Sequence, residues 1–483
     1  MKPLHLGNAR ELFWDDYLIN TSRTSAVRKQ HPPRMEEVSL ELSMPWEGDG
    51  CDYFCTVKED DIYRMYYLAW QMSDPDLTEH TQDAIKVCCI ESRDGIHWER
   101  PDLGIVSFQG STHNNILLDE NDAKFDNFVV FLDTNPDCPP EERFKATARA
   151  EFKDNPDKTP TLYCYTSEDG YHFKLGWKMT DKGLFDSMNI AFWSPEKNQY
   201  LCYLRGFHDI PGNDWNAGIR DIRFMTSSDF KTWSDPVMVD FGDKEDIPLY
   251  TNTVFRYPRA PQMMVGIPVR YMERRGWNDN FEQMTGAELR KKRMRIHPRY
   301  GLTVTDCVLM LSRDGLHWDR QDEAWLTPGV ERDFNWIYGD CYATPGFIQT
   351  PSRLPGAPDE LSFYCDEWHW SQKPAHLQRY SIRQDGLFSY RADYAPKTLV
   401  TKPIFYEGGE LSLNFSTSVR GSVYVTMTDG LKELHSCELF GDTLDRRVRF
   451  DGEPTEFLGK EIVLEFTMRD ADLYSMQFSN NQK

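Results

Sequence analysis

Acidic residues stand at the head of one strand-like run after another along this 483-residue chain. Asp52 opens Asp52-Tyr53-Phe54-Cys55-Thr56-Val57, Asp126 opens Asp126-Asn127-Phe128-Val129-Val130-Phe131, and Asp186 opens Asp186-Ser187-Met188-Asn189-Ile190-Ala191-Phe192-Trp193. Asp246 precedes Thr251-Asn252-Thr253-Val254-Phe255, and Asp340 stands somewhat earlier before a fifth run, Gly346-Phe347-Ile348. A turn or strand cap accounts for any one of them, because Asp is common at such boundaries. Their repetition at equivalent places makes them a candidate site. If the runs converge, so do the carboxyls, and close carboxyls divide their work. One stays protonated and donates; another stays ionised and activates water or attacks carbon. That is the equipment for cleaving a glycosidic bond. Trp46, Tyr53, Trp215, Trp336 and Trp368 lie near the starts of the runs or in insertions and could stack on a sugar ring, although core packing explains most Trp. Trp46, Tyr53, Asp246, Asn252, Trp336, Asp340 and Glu367 are the candidate substrate contacts.

The elements that must position these residues are announced by a hairpin that recurs five times. The copies are Ser92-Arg93-Asp94-Gly95-Ile96-His97-Trp98, Ser167-Glu168-Asp169-Gly170-Tyr171-His172-Phe173, Ser227-Ser228-Asp229-Phe230-Lys231-Thr232-Trp233, Ser312-Arg313-Asp314-Gly315-Leu316-His317-Trp318 and a degenerate Gln384-Asp385-Gly386-Leu387-Phe388. Each follows alternating strand-like runs, and Asp-Gly supplies a turn that tolerates positive φ. Self-similarity at this long period predicts radially repeated β units, so the chain reads as all-β: a five-bladed β-propeller over 1–395, each blade completed by an outer strand after its hairpin. The hairpin itself reads as scaffold, since turn chemistry alone explains it.

Two insertions interrupt the pattern, Arg205 to Arg220 and Arg270 to Tyr300. The second contains Ala287-Glu288-Leu289-Arg290-Lys291-Lys292-Arg293-Met294-Arg295, a short basic helix whose plainest reading is a solvated face. Residues 396–483 are expected to form a C-terminal β-sandwich. Its short strands would be Glu410–Phe415, Ser422–Met427, Ile462–Phe466 and Leu473–Phe478, separated by turns.

Composition narrows the partners. The net charge of −22 repels phosphate backbones and anionic lipid, so nucleic acid and membrane are not expected partners and a carbohydrate is. The start, Met1-Lys2-Pro3-Leu4-His5-Leu6-Gly7, has no basic-then-apolar leader, and no apolar run approaches a membrane span. The eleven Cys are odd in number and contain no C-x-x-C pair, which fits a cytoplasmic protein. Cys51-x-x-x-Cys55 has no second pair at ligand spacing, so neither metal nor cofactor is expected. A homo-oligomer stays open.

The stretch from Asp52 to Tyr63-Arg64-Met65-Tyr66-Tyr67 resembles the first blade of the five-bladed furanosidase-type glycoside hydrolases, the invertase, levansucrase and arabinanase clan (families 32, 68 and 43). Invertase-like members place an Asp-Pro-Asn-Gly segment before a Tyr-x-x-Phe-Tyr strand at this spacing. The resemblance implies that Asp52 is the nucleophile or general base, that Asp126 stabilises the transition state, and that Asp186 is the acid. The appended C-terminal domain resembles the invertase layout too. The chain also departs from the pattern: Tyr53 replaces the Pro, the second site lacks Arg-Asp-Pro, and the third has Asp where the family has Glu. It therefore reads as a divergent branch. An Asp acid reaches less far than a Glu, which keeps Glu367 as a rival donor.

The function expected is a glycoside hydrolase acting on an oligosaccharide or small glycoside. One alternative is a glycoside phosphorylase, for which Arg270, Arg274, Arg275 and Arg299 around the second insertion would supply the phosphate contacts. The other is a non-catalytic carbohydrate-binding propeller, whose acids would be too far apart or too salt-bridged to cooperate.

Overall fold

The computed structural model describes residues 2–72, 74, 76, 84–119, 123–152, 160–213 and 218–479. Trp215 lies outside them. Five antiparallel blades make the propeller, and the first strands of successive blades are Asp52–Glu59, Val129–Leu132, Ile190–Ser194, Val254–Arg256 and Ile348–Thr350. These strands are dominated by Val, Ile and aromatic residues, and the clusters of buried side chains run from one blade into the next. Among the described residues no helix is long and apolar enough to cross a membrane.

The hairpins lock neighbouring blades. In the first copy Asp94 Oδ1 accepts the N–H groups of Ile96 (2.8 Å) and His97 (2.9 Å), while Ser92 Oγ accepts Gly95 N–H (2.8 Å). Gly95 has φ +69° and sits so close to blade five that a Cβ would lie 2.5 Å from Ile348 Cδ1. Its carbonyl accepts the hydroxyl of Tyr364, from blade five. The carbonyls of Gly170 and Gly315 accept Tyr66 (3.0 Å) and Tyr203 (2.9 Å) in the same way, each from the preceding blade.

Closure departs from the sequence expectation at the fifth copy. The outer strand of blade five is Arg34–Leu42, which pairs with Ala375–Ile382; the strand after the fifth hairpin, Phe388–Ala392, pairs with the C-terminal sheet. Joining the N-terminal segment to the last blade covers the edge of Ala375–Ile382 and ties the two ends of the propeller together. Asp385 of that hairpin is buried, accepts from Tyr257 (2.8 Å) and Arg259 (2.8 Å) of blade four, and takes Ser475 Oγ (2.7 Å) from the C-terminal sheet.

Strand pairing also crosses residue 395. Arg10–Leu12, Val27–Gln30 and Phe388–Ala392 all belong to the nine-stranded C-terminal sheet. The four short strands expected there are two long ones, Glu410–Thr428 and Glu461–Ser479, paired along their length with a register shift between Thr417 and Ser422. Gly421 sits at that shift, where a Cβ would come within 2.3 Å of the Asp470 carbonyl oxygen, so the Gly that reads as a turn serves a bend within one strand.

The second insertion rides on a two-stranded arm, Val269–Glu273 with Thr303–Cys307, and carries the helices Asp279–Gln283, Ala287–Ile296 and Arg299–Leu302. The solvated face expected of the basic helix is corrected. Arg290 and Arg293 are fully buried, and Arg293 donates to the carbonyls of Tyr338 (3.1 Å), His369 (2.6 Å) and Trp370. Burial pushes both guanidiniums down to about 10.

Candidate active site

A cavity of about 270 Å³ is bounded by blades one to three, the approach to blade four, the second insertion and the loops that carry Tyr338 and His369. Asp52, Asp126 and Asp186 all line it, as does Tyr53. Each acid arrives from a different blade by a local backbone device. At Asp52 a register shift between Asp52 and Cys55 interrupts the pairing with the next strand, and Tyr53 takes φ 56°. This bulge re-aims the head of the strand. Asp126 follows the short strand Lys124–Phe125, its N–H bonded to the Arg149 carbonyl (3.1 Å). Asp186 precedes Ser187, whose hydroxyl donates to the Tyr250 carbonyl (2.8 Å) and ties the loop to blade four.

The three carboxyls have different surroundings. Asp52 is 3% exposed, accepts the Tyr53 N–H at 2.6 Å, and is pushed up to about 7 by burial. Asp126 is ion-paired with Arg149, and Asp186 with Arg205 at 3.2 Å. Asp186 is the most open of the three, with its side chain 49% exposed.

Beside Asp52 lies a residue that sequence reasoning missed. Asp366 is fully buried, neither of its oxygens has a hydrogen-bond donor among the described residues, and His369 Nδ1 lies 3.5 Å away. Burial, and then the charge of Asp52, raises it well above the usual carboxylate range. Asp52, Asp366 and His369 each offer one ligand atom within 4.8 Å of the others, a carboxylate and imidazole set of the kind divalent ions take. His208, Asp209 and Asp246 form a second such set nearer the surface.

The rest of the wall is cationic and aromatic. Lys124, Arg149, Arg205, Arg220 and Arg299 line the cavity with Tyr250, Tyr271, Tyr300 and Tyr338. Tyr250 stacks on Tyr271 at 5.7 Å, and its hydroxyl meets those of Tyr53 (3.3 Å) and Tyr338 (3.5 Å). Arg205 and Arg220 are the residues that bracket the first insertion. They lie on paired strands, with Phe207 opposite Arg220. Arginines within apolar strand runs of so acidic a chain were the available signal for them.

Six of the seven expected substrate contacts lie away from this wall, and Tyr53 alone is on it. Trp46 donates its Nε1–H to Asn115 Oδ1 (2.8 Å) and packs edge-on to Phe108. Trp336 lines a separate cavity with Phe281 and Met284. Asp246 faces solvent and meets His208 Nε2 (2.7 Å). Asn252 is buried and donates to the carbonyls of Met188 (2.9 Å) and Tyr203 (3.3 Å), which makes it a tie between blades three and four. Asp340 is buried and pushed up to about 7 by desolvation, but it accepts the Ile337 N–H (2.8 Å) within its own turn. Glu367 is held by both terminal nitrogens of Arg332, which removes it as a rival donor. Trp368 packs tilted against His376 with ring centres 3.9 Å apart, also off the cavity.

No family model matches the chain, and no curated protein does. Solved structures similar to it include a fructofuranosidase from Schwanniomyces occidentalis, with 11% identity over 95% of this chain and 98% of that one and a TM-score of 0.39. A family 32 β-fructofuranosidase from Bombyx mori has 8% identity over 92% and 94%, with a TM-score of 0.41. An N-acetylgalactosamine deacetylase from F. plautii has 11% identity over 74% of this chain and 96% of that one, with a TM-score of 0.44.

Proposed function

We propose that the protein is a glycoside hydrolase whose proton donor is Asp52 and whose base or nucleophile is Asp186, with Asp126 orienting the sugar. The observation that carries this is the difference between two carboxyls on one wall. Asp52 is buried, has no ion-pair partner among the described residues, and is pushed up to about 7, whereas Asp186 is half-open and ion-paired with Arg205. A carboxyl that burial raises is the one that holds its proton near neutrality, which assigns the acid to Asp52. The roles are therefore exchanged relative to those the sequence resemblance implies. A cavity of this size takes a single sugar unit, and its Tyr rings supply the stacking surface.

The binding-only alternative is favoured by the ion pairs on Asp126 and Asp186, and the carboxyl of Asp52, which has no ion pair among the described residues, argues against it. Of the four arginines invoked for phosphorolysis, only Arg299 reaches the wall; Arg270 is held by both oxygens of Asp306 at 2.6 and 2.7 Å. The test is a set of aryl glycosides assayed with and without inorganic phosphate. Phosphate-independent release that is lost in Asp186→Asn supports hydrolysis. Release that requires phosphate, or none from any glycoside, overturns it.

A further inference from the structure

Arg220 is 8% exposed and lines the cavity, yet it has no ion pair and no side-chain hydrogen bond among the described residues, and its Nε–H is buried without an acceptor. Two neighbours on the wall have charge partners that Arg220 lacks: Arg149 pairs with Asp126 and Glu151, although its own Nε is also buried without an acceptor, and Arg205 pairs with Asp186 and donates to the Leu184 carbonyl. Aromatic rings hold it in place. The guanidinium carbon lies 4.1 Å from the Tyr271 ring centre, 5.4 Å from Phe207 and 5.8 Å from Tyr250, and Arg205 shares the last two rings at 4.9 and 5.8 Å. Rings over a guanidinium hold its charge from the faces and leave its edge to make hydrogen bonds. A buried cation with an unused edge is costly unless a ligand completes it.

The charge of the wall points the same way. Five cationic side chains line the cavity against three carboxylates, Asp126, Glu151 and Asp186, with Asp52 as the protonated donor, in a chain whose net charge is −22. That surplus of positive charge calls for an anionic ligand. A planar monoanion matches the fork of an arginine edge, and the Tyr rings beside it suit the C–H face of a pyranose.

We propose that Arg220 is the anchor for a carboxylate carried by the substrate, so that the unit bound in this cavity is a uronic acid, with the Arg205 guanidinium beside it. The proposal deepens the reading of the cavity as a sugar site and rests on that reading. A carboxylate on the ring fixes its orientation through two parallel hydrogen bonds, which sets the glycosidic oxygen against the acids.

Calorimetric titration of the full-length protein separates the two claims, because it needs no turnover. The probes are the methyl glycosides of glucuronic and galacturonic acid, their neutral counterparts methyl glucoside and methyl galactoside, and inorganic phosphate. At least one uronide should bind about tenfold or more tighter than its neutral counterpart. Arg220→Met should erase that preference while leaving the neutral sugar's affinity in place. Arg220→Lys, which keeps the charge and loses the fork, should keep only part of it and serves if the Met variant does not fold. Equal binding of uronide and neutral sugar, no binding of either uronide, or phosphate binding without uronide preference overturns the proposal. So does a uronide preference that survives both substitutions. An Arg220-dependent preference in a protein that cleaves no aryl uronide leaves the anchor standing and removes the hydrolase. Cleavage of neutral glycosides without uronide binding does the reverse.

Discussion

Asp52, on the cavity wall, and the buried Asp366 place a carboxyl oxygen each within 4.8 Å of the other, and His369 offers a nitrogen within the same distance of both. Neither acid has an arginine or lysine partner among the described residues, so without a cation between them two carboxyls in so small a volume favour leaving at least one protonated. This sets Asp52 apart from Asp126 and Asp186, which share the cavity but carry guanidinium partners.

Activity should fall as pH rises. A donor pushed up to about 7 is loaded below that pH and empty above it, so kcat/KM on an unactivated glycoside should hold through pH 6 and decline above about 7. A profile measured from pH 5 to 9 checks it. A limb that falls on the acid side near 7 would mean that Asp52 is the base.

Leaving-group dependence should separate the two acids. Asp52→Asn should lose about 10²–10⁴-fold on natural glycosides and retain much more activity on a dinitrophenyl glycoside, whose leaving group needs no proton. Asp186→Asn should be equally crippled on both. Parallel Brønsted plots for the two variants are the measurement.

Burial of Asp52 also makes a stability prediction. Its pKa in the folded state is raised from 3.8 to about 7, so across that window the folded protein holds a proton that the unfolded chain has lost. Stability therefore declines as pH rises through the window, by about 1.4 kcal/mol per pH unit for this group, and is flat above it. Asp52→Asn carries no such penalty. Its melting temperature should gain on wild type between pH 5 and pH 8, and an unchanged difference would place Asp52 in a wetter site.

Trp98 and Trp318, 5% and 4% exposed, close hairpins far in function from the cavity. Trp98 packs edge-on to Tyr364 at 5.5 Å, and Trp318 to Tyr203 at 5.8 Å. Replacing either by Ala should cost roughly 3–5 kcal/mol in denaturant unfolding while kcat of the folded fraction is unchanged. Loss of activity at an unchanged melting temperature would give the hairpin a different role.

A fragment ending at residue 395 should not fold independently. It would expose Arg10–Leu12, Val27–Gln30 and Phe388–Ala392, all strands of the C-terminal sheet, and open the shell around Asp385. Removing residues 1–42 should be as damaging, because it strips the outer strand from blade five. Cooperative melting of either fragment is the outcome that would count against this.

The sequence by itself determined the number of blades, because each is marked by a hairpin whose Asp and Gly act within a few residues, and local chemistry repeats legibly. It also placed Asp52, Asp126 and Asp186 at the heads of strands, which was enough to bring them to one cavity once the blades closed. What closes the ring was decided only in three dimensions, since the pairing of Arg34–Leu42 with Ala375–Ile382 is a choice between segments more than three hundred residues apart. The same holds within Cys365-Asp366-Glu367. Successive strand residues face opposite sides, and only the register of the fifth blade turned Asp366 toward Asp52 and left Glu367 to Arg332. Arg220 is likewise one arginine among many in the sequence. Its meaning comes from the rings of Phe207, Tyr250 and Tyr271 and from the lack of a counter-charge among the described residues, and both depend on which strands and loops are packed together rather than on what any of them contains.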